Sequence, residues 1–234
     1  MKAAAITPLV VDGPAALADA AAGWTAERIQ RAVAERGSCY LALAGGDTPV
    51  GCYRRLAQPP YLETLPWPRL FVYWSDERQV PLDDPASNYA MAKATLLDLV
   101  PIPLDQVFPL VGDPTPALEQ LPTDGAGRPR FDVIHLGLGE DGHTASLFPG
   151  NEALDERQAW VRVIRDAPKP PPDRLTLTLP VLNAARAVLF MVQGASKRQA
   201  LARVLQRDPA LPASRVQPID GELQFIVDKA ATGA

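Results

Sequence analysis

Imidazole is the side chain that titrates closest to neutral pH, and this 234-residue chain has only two, His135 and His143. A multi-histidine metal site or a histidine relay is thereby nearly excluded. His143 stands in the segment Gly137-Leu138-Gly139-Glu140-Asp141-Gly142-His143-Thr144-Ala145-Ser146-Leu147-Phe148-Pro149-Gly150. Glycines at 137, 139 and 142, directly after an apolar run, describe a backbone bent to accept a ligand. Asp141, two residues before the ring, can hold its tautomer, so the pair reads as a general base with an orienting carboxylate. The competing role for His143 is to cap a turn, and the glycines on both sides favour the base. His135 lies inside the apolar run 131–136 and reads as a core histidine.

A second constellation is built for an anion. Gly45-Gly46-Asp47-Thr48-Pro49 places two glycines before a helix start, where free N–H groups and the positive end of the helix dipole meet. No Gly-Lys-Ser/Thr follows, and the third glycine of a dinucleotide fingerprint is missing, so a single phosphate is the natural guest. Taken alone, the pattern is also that of an ordinary tight turn. Arg78 and Lys197 each follow a predicted strand and could charge the same site, as could Arg174 in Asp173-Arg174-Leu175-Thr176. Asp76, in Ser75-Asp76-Glu77-Arg78, is a second candidate acid or base, or else one member of a solvated cluster with Glu77.

These groups need elements to hold them. Apolar runs at 39–44, 70–74, 131–136 and 187–192 read as buried strands, each ending in one of the polar clusters above. Helical patterns follow at 13–36 (stopped by Gly37), from Thr48 to about 57 with Thr48 as cap, from Ser87 or Asn88 to about 99, and at 196–206. Weaker strands are expected at 107–110, 160–164 and 223–227, the last closing the sheet, with a short helix at 115–121 and an extended loop at Lys169-Pro170-Pro171-Pro172. Strands that alternate with helices and are apolar throughout predict an α/β fold, a mostly parallel sheet with helices on both faces. Ligands of such sheets bind beyond the carboxyl ends of the strands, so the clusters should converge on one edge of one sheet. No linker, repeat or charge block divides residues 1–234, which read as a single domain.

Composition removes whole classes. The 16 glycines and 25 prolines make up about 18% of the chain, below the roughly 25–30% of low-complexity sequences. A formal net charge of −4 argues against nucleic-acid or membrane-surface binding. No apolar stretch reaches the roughly 18 residues of a membrane span, and Pro8, Asp12 and Pro14 interrupt any signal-peptide core. Cys39 and Cys52 make no disulfide framework, so a cytoplasmic location is expected. The chain lacks G-x-S-x-G and H-E-x-x-H, which leaves a serine elbow or a zinc site without support.

In order along nearly the whole chain, the blocks at 43–49, 75–78, 80–81, 87–89, 137–150, 174–178 and 194–197 resemble the 6-phosphogluconolactonase family, most specifically in Asp141-Gly142-His143-Thr144-Ala145-Ser146-Leu147-Phe148-Pro149-Gly150. The resemblance implies a Rossmann-like fold and cofactor-free hydrolysis of a small phosphorylated sugar lactone, 6-phospho-D-glucono-1,5-lactone, by a monomer or weak homodimer without nucleic-acid or membrane partners. It points to His143, Asp141 and Asp76 as catalytic residues, and to Gly45, Gly46, Thr48, Arg78, Arg174 and Lys197 as substrate- and phosphate-binding ones, with no metal. One departure stands out: Asp47 occupies a position that is often serine, and its carboxylate is expected to turn away from the phosphate. The neighbouring glucosamine-6-phosphate deaminases are similar but carry a glutamate shortly after the histidine, where this chain has Phe148. A deaminase-type activity and a non-catalytic sugar-phosphate sensor are the alternatives.

Overall fold

The computed structural model describes residues 6–233. Residues 1–5, the start of the segment considered above for a signal core, lie outside the described residues, as does residue 234. The strands are β1 (Leu9–Val11), β2 (Cys39–Leu43), β3 (Leu70–Trp74), β4 (Asp76–Arg78), β5 (Val133–Gly137), β6 (Val161–Ile164), β7 (Arg174–Leu177), β8 (Ala187–Val192) and β9 (Glu222–Asp228). The α-helices are α1 (Pro14–Arg36), α2 (Thr48–Leu56), α3 (Tyr61–Thr64), α4 (Asn88–Ala92), α5 (Thr115–Leu118), α6 (Leu179–Ala184), α7 (Arg198–Leu205) and α8 (Lys229–Thr232).

Six strands form one parallel sheet in the order β1-β9-β8-β5-β2-β3. Both faces are covered, which is why its central strands are apolar without alternation. Val188, Phe190 and Val192 pack one face with Phe225 and with Leu182, Leu201 and Val204 of α6 and α7. Leu189 and Met191 pack the other with Leu17, Ala21, Ile29 and Tyr53 of α1 and α2. Helix α1 starts with Pro14 at its first position and ends at Gly37, whose φ of 81° is the left-handed conformation that glycine adopts without a Cβ penalty. From β2 the chain moves outward to β3, and from β5 it moves the opposite way through β8 to β9. The reversal lies between β2 and β5, which opens a crevice beyond their carboxyl ends.

The expectation of one sheet is corrected by a second one. Strands β4, β7 and β6 form a three-stranded antiparallel sheet in which Arg78 faces Arg174 and Asp76 faces Thr176. Three charged residues, Asp76-Glu77-Arg78, carry no strand periodicity of their own, and pairing with β7 alone makes them one. Several smaller expectations also shift. The run at 107–110 supplies one bridge, Val107 to Val72, and no strand. The segment at 223–227 does not close the sheet, because β1 pairs outside it. Thr48 begins α2 and Asp47 holds the cap position, with no side-chain cap bond. Ser87 does cap α4, accepting from the Ala90 N–H, and the helix continues as a π-turn over Lys93–Leu97.

His135 is fully buried in β5, with Nε2 2.9 Å from Thr25 Oγ1 and its ring stacked 5.8 Å from Tyr53. Burial pushes its pKa down to about 3, so the folded ring is neutral. In the unfolded chain the ring takes up a proton near pH 6.5, and the native site refuses it. Its contribution to stability is therefore complete above pH 6.5 and declines as pH falls toward 3, by up to about 1.4 kcal/mol per pH unit. Denaturant unfolding at a series of pH values between 6.5 and 4 should show a slope one proton smaller in His135→Gln than in wild type; equal slopes would contradict this account.

Candidate active site

The glycine turn leaves β2 at Ala44, and one side chain holds that departure point. Tyr53, fully buried on α2, accepts from the Ala44 N–H and donates to the Ala44 carbonyl, both at 2.9 Å. Gly45 has no room for a side chain, since a Cβ would lie 1.8 Å from Asn88 Oδ1. Gly46 then turns at φ 84°. Among the first residues of α2, Pro49 has no N–H and the Val50 N–H donates to the Asp47 carbonyl at 3.3 Å, which leaves the Thr48 N–H at the end of this turn. Asp47 is exposed and forms part of the cavity wall.

The small sheet sorts the charged cluster that follows β3. Side chains alternate along a strand, so Asp76 and Arg78 share one face with Arg174 and Thr176 across the pair, while Glu77 goes to the other. Glu77 is fully buried and accepts from the Arg78, Asn88 and Tyr89 N–H groups at 2.7 Å and from Ser87 Oγ at 3.1 Å. Burial pushes its pKa up, and the three backbone donors oppose the rise. It is a structural knot, and a solvated cluster is excluded. Asp76 Oδ2 accepts from Ser146 Oγ at 2.6 Å, and Oδ1 lies 3.3 Å from Asn88 Nδ2. Arg174 is 4% exposed and donates to the carbonyls of Lys169 (2.8 Å), Pro170 (3.4 Å) and Pro171 (3.0 Å), with Nη1 4.0 Å from Asp76. Arg78 donates from Nη1 to the Ala86 carbonyl at 2.7 Å, while its buried Nε has no hydrogen-bond partner among the described residues.

The loop after β5 presents the imidazole. His143 Nδ1 lies 2.5 Å from Asp141 Oδ1, which also accepts the His143 N–H at 3.1 Å. A carboxylate only accepts, so Nδ1 carries the proton and Nε2 keeps its lone pair. The ring leans on Phe148, 4.7 Å between centroids, and the Arg174 guanidinium lies 5.6 Å from that same phenyl centroid. Burial lowers the His143 pKa and Lys169 adds to this, against the opposing charges of Asp141 and Asp76. Gly139 is required here: a Cβ would fall 1.9 Å from His143 Nδ1 and 2.5 Å from Asp141 Oδ1. Ala145, two residues on, is held at φ 48°.

These pieces enclose a cavity of about 540 Å³ at the crevice between β2 and β5. Gly45, Gly46, Thr48, Asp76, Arg78, His143, Arg174 and Lys197 all line it, and Asp141 stands behind the imidazole. Lys169 and Gln193 also line it and were not singled out from sequence. In the sequence Lys169 belongs to an extended proline segment, and a lysine ahead of three prolines is a side chain on a stiff support. Asn88 and Ser146, which hold Asp76, gave no more signal than a helix cap and a loop serine. Among the described residues no cluster of three or more histidine, cysteine or acidic side chains could hold a metal, and no helix is long and apolar enough to cross a membrane.

The chain is similar to known proteins along most of its length. The chain is 42% identical over 212 residues to a 6-phosphogluconolactonase of Rattus norvegicus, covering 84% of this chain and 80% of that one. It is 41% identical over 218 residues to a 6-phosphogluconolactonase of Synechocystis, covering 87% and 88%. A solved 6-phosphogluconolactonase from Trypanosoma brucei superposes with a TM-score of 0.84 at 30% identity, covering 97% of this chain and 98% of that one. The family described as glucosamine-6-phosphate isomerases/6-phosphogluconolactonase matches residues 12–225, and the chain belongs to it.

Proposed function

We propose that this chain hydrolyses 6-phospho-D-glucono-1,5-lactone to 6-phosphogluconate, the lactonase step of the oxidative pentose phosphate pathway. The observation that carries this reading is the His143–Asp141 pair set in a cavity lined by Arg78, Arg174, Lys169 and Lys197. The turn at Gly45, Gly46 and Thr48, with Arg78 and Lys197, takes the 6-phosphate, so remote binding orients C1 near the imidazole. His143 Nε2 removes a proton from water as its oxygen bonds to C1, while Asp141 keeps the ring in the required tautomer. The tetrahedral adduct collapses with cleavage of the C1–ring-oxygen bond, and His143 returns the proton to that oxygen. Asp76, engaged by Ser146 and Asn88, positions the wall and adds its charge beside His143. A deaminase-type reaction is disfavoured by Phe148, whose ring packs against His143 where the similar deaminases carry a carboxylate.

Three coarser features belong to the same proposal. The whole site sits in one domain, since strands of both sheets supply one cavity. The enzyme works as a monomer or weak homodimer. Its two cysteines are buried and unpaired, as suits a cytoplasmic protein, although a 40% identical rice relative is named a probable chloroplastic 6-phosphogluconolactonase.

A lactonase assay on freshly generated substrate, corrected for spontaneous hydrolysis, tests the reading; inactivity on this lactone, or release of ammonia from glucosamine 6-phosphate, would overturn it. His143→Ala should lower kcat by about 10²–10⁴ with the fold retained by circular dichroism. Because the base must be neutral and its pKa is lowered, kcat/KM should fall with acid only below the ordinary imidazole value of 6.5. Lys197→Ala should raise KM for the phosphorylated lactone roughly ten- to hundredfold, as loss of a charge-assisted hydrogen bond predicts, and leave unphosphorylated glucono-1,5-lactone nearly unaffected. Equal effects on both lactones would rule out the phosphate role.

A further inference from the structure

Adding water to a lactone carbonyl turns its oxygen into an anion, and a catalyst must meet that charge with a fixed positive group. Four cations line the cavity. Arg78 and Lys197 belong to the phosphate reading. Arg174 uses Nε and Nη2 on three loop carbonyls, and Nη1 lies between Ser146 Oγ at 3.5 Å and Asp76 at 4.0 Å. Lys169 is different. Among the described residues its ammonium forms no hydrogen bond and no ion pair, although the residue lines the same cavity as His143.

The backbone that carries Lys169 is held in place. Arg174 binds its carbonyl and those of the two prolines that follow, and the Ala167 N–H closes the loop onto the Pro172 carbonyl at 3.1 Å. The prolines stiffen what the guanidinium fastens. Lys169 lines the cavity together with His143, and its positive charge acts to lower the pKa of both His143 and Asp141. We infer that Lys169 is a catalytic residue whose ammonium stabilises the oxyanion formed at C1, an inference that rests on the lactonase reading above, and that Arg174 is a positioning residue holding the loop that presents it. In the addition step the water O–H bond breaks toward His143 Nε2, the new C–O bond forms, and the carbonyl π pair moves to the oxygen facing Lys169. Lys169 neither gives nor takes a proton; its charge lies where negative charge develops. When the adduct collapses, the pair returns to the carbonyl, the C1–ring-oxygen bond breaks, and that oxygen receives the proton from His143.

Lys169→Met and Lys169→Arg separate this role from phosphate binding and from support of the fold, since the residue is exposed and its removal leaves the core untouched. With the full chain, kcat and KM are measured for the phosphorylated lactone and for unphosphorylated glucono-1,5-lactone. Lys169→Met should lower kcat about 10²–10³-fold on both substrates, the range for removal of one oxyanion donor, with little change in KM, and Lys169→Arg should recover part of the loss. The acid limb of kcat/KM should also move to higher pH in Lys169→Met. His143 is then faced by Asp141 from its own loop and Asp76 from β4, with Arg174 beyond Phe148, and has lost the cation that opposed its protonation. A loss confined to KM for the phosphorylated lactone would make Lys169 a phosphate contact and overturn the inference, as would an unchanged kcat. A wild-type chain inactive on both lactones removes the function and this inference together, whereas an active wild type matched by Lys169→Met removes the inference alone.

Discussion

A carboxylate cut off from water must find its hydrogen bonds inside the protein, and Glu77 finds four. That requirement organises the site. It draws the start of α4 onto β4, which brings Asn88 under the glycine turn and against Asp76. Because Glu77 points one way from its strand, Asp76 and Arg78 must point the other, toward the cavity. The same three-residue strand pairs with β7, so Arg174 arrives on the same face. One buried group thus fixes the direction of its two neighbours and the seat of a third side chain.

Close packing does the equivalent work around the imidazole. Gly139 leaves room for the His143–Asp141 contact, Phe148 backs the ring, and Arg174 lies on the same phenyl group. His143 is held neutral by burial and by Lys169 while Asp141 pulls the other way, so the ring stays a base yet remains able to carry a proton. The acidic chain collects its cations locally: Arg78, the pair Lys169 and Arg174, and Lys197 come from three separate segments and meet at one cavity. The carboxyl ends of the parallel strands and the small antiparallel sheet beside them make that convergence possible.

Much of this was legible in the residues. Apolar runs bounded by glycine locate β2, β3, β5 and β8, since a strand buried on both faces must be apolar at every position. Pro14 and Gly37 mark the ends of α1 for local steric reasons that need no tertiary context. The glycine turn, the Asp141–His143 spacing and the basic residues after strands are local as well, and all converge on the cavity.

What the order of residues could not decide depends on partners far along the chain. β4 becomes a strand only beside β7, about a hundred residues later, and β1 becomes the sheet edge only because β9 pairs with it. No local pattern separates Asp76 from Glu77, which are adjacent carboxylates; the pleat sends one to the cavity and the other into the core. Lys169 gains its place only after Arg174 has gathered three carbonyls of the proline loop. Sequence alone therefore determined the central elements, the family and the chemical groups, since these follow from steric and apolar preferences within a few residues. The tertiary structure decided which way each charge points, because that is set by hydrogen-bond satisfaction across the fold.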